Sequence, residues 1–231
     1  MAMLNRMGRQ STPIFNVVSG IQIFTLQSCR GAVRCLVNGS ERIKRKLFRH
    51  VESLLCALGA LAGYACQANL RAQAIAKGVD PNAPFNIVKT SDGKRYFFGD
   101  PLNKALAEDK LSVWSLSAGA AQHVGATSLP DINEIFKHTA SSLGSEAFGV
   151  PRYPEGHSAG DLPINYVKGL WPALLPIVKK FAPEPVLWPL LFAVALQNAI
   201  EMSKGAIAPE LALSLVMEAA IPMSKVDLDL A

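Results

Sequence analysis

The densest set of chemically capable side chains lies in one irregular stretch, residues 145–163, SEAFGVPRYPEGHSAGDLP. The guanidinium of Arg152, the phenol of Tyr153, the carboxylates of Glu155 and Asp161, the imidazole of His157 and the hydroxyl of Ser158 fall within ten residues. Such a set can bind an anionic or polar ligand. It can also place a general acid and a general base around a scissile bond, with Arg152 holding an anion and His157 working with Glu155 or Asp161. Irregular stretches longer than about 12 to 15 residues tend to be functional or disordered in compact domains, and this one is rich in Pro and Gly. The plainer alternative is a solvated loop with local caps, because polar side chains are what loops ordinarily carry. Asp161 in particular stands where it would cap a helix opening at Leu162-Pro163.

His123 and His138 sit in separate helix-like runs; His123 joins the loop residues as a ligand-binding candidate, although spacing alone does not bring it there. His157 and Asp161 are four apart, the spacing of two metal ligands on a helix, but Gly156 and Gly160 argue against a helix at that point. There is no CxxC and no Cys/His cluster, so no metal and no cofactor are expected. SLSAG at Ser115–Gly119 lacks the first glycine and the preceding strand of a nucleophile elbow, and no phosphate-binding glycine loop occurs.

These side chains have to be positioned by helices. Leu47, Val51, Leu54, Leu58, Leu61, Ala65, Ala68, Ala72 and Ile75 recur at alternating spacings of four and three, the pattern of a long helix with a continuous apolar seam. A second series, Cys56, Gly59, Gly63, Cys66 and Leu70, runs along the opposite side, so the middle of this helix is apolar on two faces and must be buried. Gly59 and Gly63 call for a partner helix packed closely over them, expected to be the one following Trp188. Ser40 is a suitable N-cap, and Lys77-Gly78 followed by Pro81 is a stop signal. A helix over 40–78 would be about 55 Å long, so a break or fray near its basic start is expected.

Downstream, FNIVKT, SDGK and RYFFG read as a two-stranded hairpin turning through Asp92-Gly93, with Phe85, Ile87, Tyr96 and Phe98 as its apolar contacts. Asp100-Pro101 opens a helix or a pair hinged near Asp109-Lys110, and Ser128 to Asp131 resembles a capping box. INYVKGLWPALLPIVKKF, PVLWPLLFAVALQNAIEM and PELALSLVMEAAI read as three apolar helices; the phrase Leu-Trp-Pro recurs at 170–172 and 187–189 as two helix starts or kinks. The tail SKVDLDLA is expected to be loosely held. The fold class is therefore mainly α: a multi-helix orthogonal or bundle-like domain around a central helix at about 40–78, with one β-hairpin near 85–99.

Charge divides the chain. Nine of the 23 Lys/Arg but only one of the 18 Asp/Glu lie in residues 1–50, leaving fourteen against seventeen in the rest. The basicity thus belongs to the N-terminal region. Residues 1–39 contain no acidic residue and form a basic extension to a single helical domain at 40–231. A transit-type leader and a non-structural extension are level readings of it. Arg42, Lys44, Arg45, Lys46 and Arg49 are spread over several helix faces without a recognition fold behind them, so a nucleic-acid partner is not expected. The apolar runs 51–66 and 186–200 are interrupted by polar residues or proline and fall short of the ~20 residues of a membrane span, so no span is expected. The four cysteines, all in the first third, read as thiols of a reducing compartment, which points to a cytoplasmic protein, or an organelle-targeted one if residues 1–39 are a leader.

For function, the sequence favours a helical binding or interaction protein whose partner is a small molecule or another protein. The alternative is a hydrolase-type acid–base enzyme with its site at the 148–163 loop. Homo-oligomerisation through the apolar C-terminal helices is a third expectation, since they offer more apolar surface than one small core consumes.

Overall fold

The computed structural model describes residues 51–228, which are mainly helical, with a single hairpin. Ser40, the basic run at 42–49 and the 1–39 extension lie outside the described residues. Helix α1, Val51–Ala76, is the axis of the fold: every residue from Leu55 to Gln67 is buried, as two opposed apolar faces require. It ends as Lys77-Gly78 dictates. Gly78 takes φ 70°, its N–H reaches Ile75 O at 2.9 Å, and Val79 N–H reaches Ala74 O at 3.1 Å, the paired bonds of a Schellman stop.

The small-residue face does meet a C-terminal apolar helix, but not the expected one. Its partner is α7, Pro209–Lys225. A Cβ added at Gly59 would lie 2.5 Å from Val216 O, and one at Gly63 would run into the Ala220 carbonyl. The helix after Trp188 (α6, Trp188–Met202) and α5 (Pro163–Phe181) pack on the remaining sides of α1. Helix α7 wins the close position because ALSLVMEAAI has small residues where the backbones meet: Ala212, Ala219 and Ala220 are all fully buried. α5 carries Pro172 and Pro176 in its interior, whereas Pro189 sits in the first turn of α6, so the two Leu-Trp-Pro phrases do different work.

Strands β1, Asn86–Lys89, and β2, Arg95–Phe98, form the hairpin in the register Ile87↔Phe97. Its burial does not alternate as expected: Ile87 is exposed, while Tyr96 and Phe97 are both buried on opposite faces of β2. The reason is that both faces of β2 are covered. Phe97 stacks on Phe85 (4.7 Å) beneath the Arg71 guanidinium, and Tyr96 packs edge-on against Phe148. The C-terminal tail, expected to be loose, pairs with the far edge of β2 through a Tyr96↔Val226 bridge. Gln67 Nε2 donates to the carbonyls of Met223, Ser224 and Val226, and Tyr64 Oη donates to Leu228 O.

A short helix, α2, Asp100–Asn103, runs into a π turn at Lys104–Glu108 and breaks at Asp109, where ψ is 153°. Its N-cap is Gly99 rather than Asp100. α3, Val113–His123, starts from a Ser112 cap, and α4, Ile132–Ser141, is capped by Asp131 itself, whose carboxylate accepts from the Asn133 and Glu134 N–H groups. By length and composition α1 and the segment Pro185–Met202 would pass as membrane spans, each with a mean hydropathy of 1.3 over its most apolar window. Inside the fold 78% of the α1 window is buried, as in a core helix.

Candidate functional site

The 145–163 stretch is a strap fixed to the helices point by point. Phe148 lies on Tyr96, Gly149 takes φ 74° against Met223 and Pro222 of α7, and Gly160 N–H donates to Ser53 Oγ at 2.8 Å. Arg152 is committed in full view of solvent. Its guanidinium forks onto both oxygens of Glu134 at 2.7 Å, and its Nε donates to Glu218 Oε1 at 2.9 Å, with Nη2 also on Glu218. Glu218 is a buried carboxylate on α7, so Arg152 supplies the counter-charge that makes its burial tolerable. The same pairing holds the Glu134 carboxyl below its usual range, the Arg152 bonds being the largest cause.

Tyr153, His157 and Asp161 instead converge on the first turns of α1. His157 Nδ1 lies 2.9 Å from Glu52 Oε1. Tyr153 is enclosed against Cys56 and the Ala159 backbone without a well-formed hydrogen bond of its own, and burial pushes its phenol well up. Asp161 accepts from Leu162 N–H (2.8 Å) and Asn165 Nδ2 (2.7 Å), the local capping role read from the sequence, exerted from one residue before the N-cap position. Burial raises the Cys56 thiol to about 11 and the Cys66 thiol to about 12, which leaves neither as a thiolate nucleophile near neutral pH. Glu155 is exposed and makes no hydrogen bond or ion pair among the described residues; His123 ends α3, exposed and without a bond to the strap. No three His, Cys, Asp or Glu side chains among the described residues are grouped to hold a metal.

A concave site lies elsewhere. The C-terminal half of α1, residues 171–179 of α5, Pro81 and Trp188 at the start of α6 enclose a half-open cleft of about 250 Å³. One wall is the α1 stripe Tyr64, Ala68, Arg71/Ala72, Ile75, and the facing wall is the α5 stripe Trp171, Leu175, Lys179, each at helical spacing. Trp171 and Trp188 are almost fully buried, with ring centroids 6.1 Å apart, and Tyr64 meets Trp171 edge-on at 4.9 Å. The Trp188 indole N–H is already satisfied by Ala182 O at 2.9 Å.

Two cations line this cleft, and no carboxylate does among the described residues. Arg71 Nη2 donates to Asn82 Oδ1 at 2.9 Å and stands 3.5 Å from Asp227 Oδ1. Asp227 has a nearer partner in Arg95, at 2.5 Å. Lys179 is exposed and forms no ion pair among the described residues.

None of these cleft residues stands out as chemistry in the sequence. The available signal was indirect: Arg71 and Lys179 interrupt otherwise apolar helix stripes, and the repeated Leu-Trp-Pro brings Trp171 and Trp188 together. Ala68, Ala72 and Ile75 belong to the apolar seam; Ile75, one residue from the end of α1, is 60% exposed and lines the cleft. No protein-family model matches the chain, and no curated protein or solved structure is significantly similar to it.

Proposed function

We propose that the chain is a helical small-molecule-binding protein whose site is the cleft between α1 and α5. The observation that carries this reading is a preformed concavity with an aromatic floor of Tyr64, Trp171 and Trp188, apolar sides, and polar groups confined to its rim. That is the general make-up of ligand sites, which bind through apolar contact and orient through a few polar groups. At about 250 Å³ it sits just under the ~300–1,000 Å³ usual for drug-sized ligands, so the ligand is compact, on the scale of a two-ring molecule.

The acid–base hydrolase alternative at the 148–163 strap has less support. Arg152 spends its donors on Glu134 and Glu218, His157 is paired with Glu52, and Tyr153 is enclosed, so the groups that would act on a substrate act on the fold.

The test uses the three tryptophans as reporters, since Trp171 and Trp188 line the cleft and Trp114, on α3, does not. Titration with 2-naphthoate followed by ¹H–¹⁵N correlation spectra should move the indole cross-peaks of Trp171 and Trp188 saturably and leave Trp114 in place. Ala72→Phe, which fills the cleft from α1, should abolish the effect. Uniform shifts of all three indoles, or none, would rule the cleft out as the site.

A further inference from the structure

We infer that the ligand of this cleft carries an anionic group, and that Lys179 is the residue that pairs with it. The inference deepens the binding function proposed above and rests on it.

It starts from charge bookkeeping around the cleft. Arg71, Asp227 and Arg95 form a triad with two cations and one anion, so one positive charge stays uncompensated. Asp227 is shared between the two, at 2.5 Å from Arg95 and 3.5 Å from Arg71, so Arg71 is the less tightly paired of the two cations, and Arg71 is the one that lines the cleft. Lys179 adds a second positive charge from the facing helix, and none of the lining residues among the described ones is acidic. A neutral or cationic ligand would leave both charges beside a partly desolvated apolar wall without compensation. An anion offsets them.

The two cations divide the work. Arg71 is held in place: its side chain is only 18% exposed, bonded to Asn82 and stacked over the Phe97 ring at 5.0 Å. It supplies a fixed positive field rather than a free clamp. Lys179 is mobile on a four-carbon stem, has no competing ion pair among the described residues, and stands two turns along the stripe from Trp171. A ligand whose apolar part is seated in the cleft beside the Trp171 and Trp188 rings therefore directs its charged group toward the Lys179 ammonium. The ligand class is a compact aromatic or alicyclic monocarboxylate.

The experiment compares two probes of one shape, 2-naphthoate and its neutral amide 2-naphthamide, read through the Trp171 and Trp188 indole cross-peaks of the whole chain. The carboxylate should bind about twofold to fivefold tighter, the range of an exposed ion pair, and the advantage should shrink as salt rises. Lys179→Met should bring the two probes to similar affinity. Lys180→Met, a neighbouring cation that lies over Phe181 and does not line the cleft, should leave the preference intact. Equal binding of both probes to the parent overturns the anion inference while the small-molecule reading stands. A preference that survives Lys179→Met overturns the assignment to that lysine, and failure of both probes to bind overturns inference and reading together.

Discussion

Arg152 shows how a side chain suited to catalysis can be used for stability. Removing it strands Glu218 in the core without a counter-charge. Because Arg152 itself is 40% exposed, the cost of Arg152→Ala should be well below that of a fully buried pair, roughly 2 kcal/mol at neutral pH in denaturant melts. Replacing both partners, Arg152→Ala with Glu218→Met, should recover much of it, and naphthoate binding at the cleft should be unchanged in either variant. Lys225 poses the opposite problem. The residue is 2% exposed; its ammonium donates to Asn103 Oδ1 at 2.8 Å, lies over the rings of Phe98 and Phe136, and is pushed by burial from 10.5 to about 8. Between pH 8 and 10.5 the unfolded chain therefore holds more protons at this site than the folded one, so its contribution to stability rises with pH. At about 1.4 kcal/mol per tenfold change in proton affinity, the buried charge costs on the order of 3 kcal/mol at neutral pH. The thiols of Cys56 and Cys66 and the phenols of Tyr153 and Tyr166 act in the other direction from about pH 8 upward, because the unfolded chain loses their protons first. Urea midpoints should thus stay nearly level from about pH 8 to 9 in the parent and decline above it, whereas in Lys225→Met the decline should already be present between about pH 8 and 9.

At the scale of elements, the decisive contact is α1 against α7, backbone to backbone at Gly59 and Gly63. A single methyl at Gly63 would overlap the Ala220 carbonyl, and a carbonyl cannot rotate away as a side chain can. Gly63→Ala should therefore cost about 1–3 kcal/mol or more despite its gain in helix propensity, measured as a lower thermal midpoint. Gly119→Ala, where a Cβ meets nothing within 4 Å, should be neutral or mildly stabilising. The hairpin depends on a partner far away in sequence. A two-stranded ribbon is marginal alone, and here the 226–228 tail gives β2 its second neighbour and Asp227 salt-bridges Arg95. Deleting residues 226–231 should raise amide exchange at Tyr96 and Phe97 by more than tenfold while α4 keeps its protection.

For the molecule as a whole, a buried central helix wrapped by α5, α6 and α7 explains both the core and the cleft. α1 is buried throughout Leu55–Gln67, and the cleft runs along its later turns, from Tyr64 to Ile75, beside α5. The strap works at the other end of the same helix, fastening Glu52, Ser53 and Cys56. The strap and the proposed binding cleft thus engage opposite ends of α1, so substitutions at His157 should change the thermal midpoint without changing naphthoate affinity, and substitutions at Lys179 should do the reverse.

Local physics was legible in the residues alone. Periodicity marked α1 as buried on two faces, Gly78 its stop, Asp92-Gly93 the hairpin, and Gly59 with Gly63 a close helix contact, because each depends on residues within a few turns of one another. What the sequence left open was partnership over distance. Whether α6 or α7 lies on the glycines, whether the tail docks, and whether Arg152 meets a ligand or Glu218 depend on residues 66 to 164 positions apart, and no local pattern encodes those pairings. The cleft is the extreme case: it lies between two helices that meet at Tyr64 and Trp171, and neither stripe carries that pairing by itself.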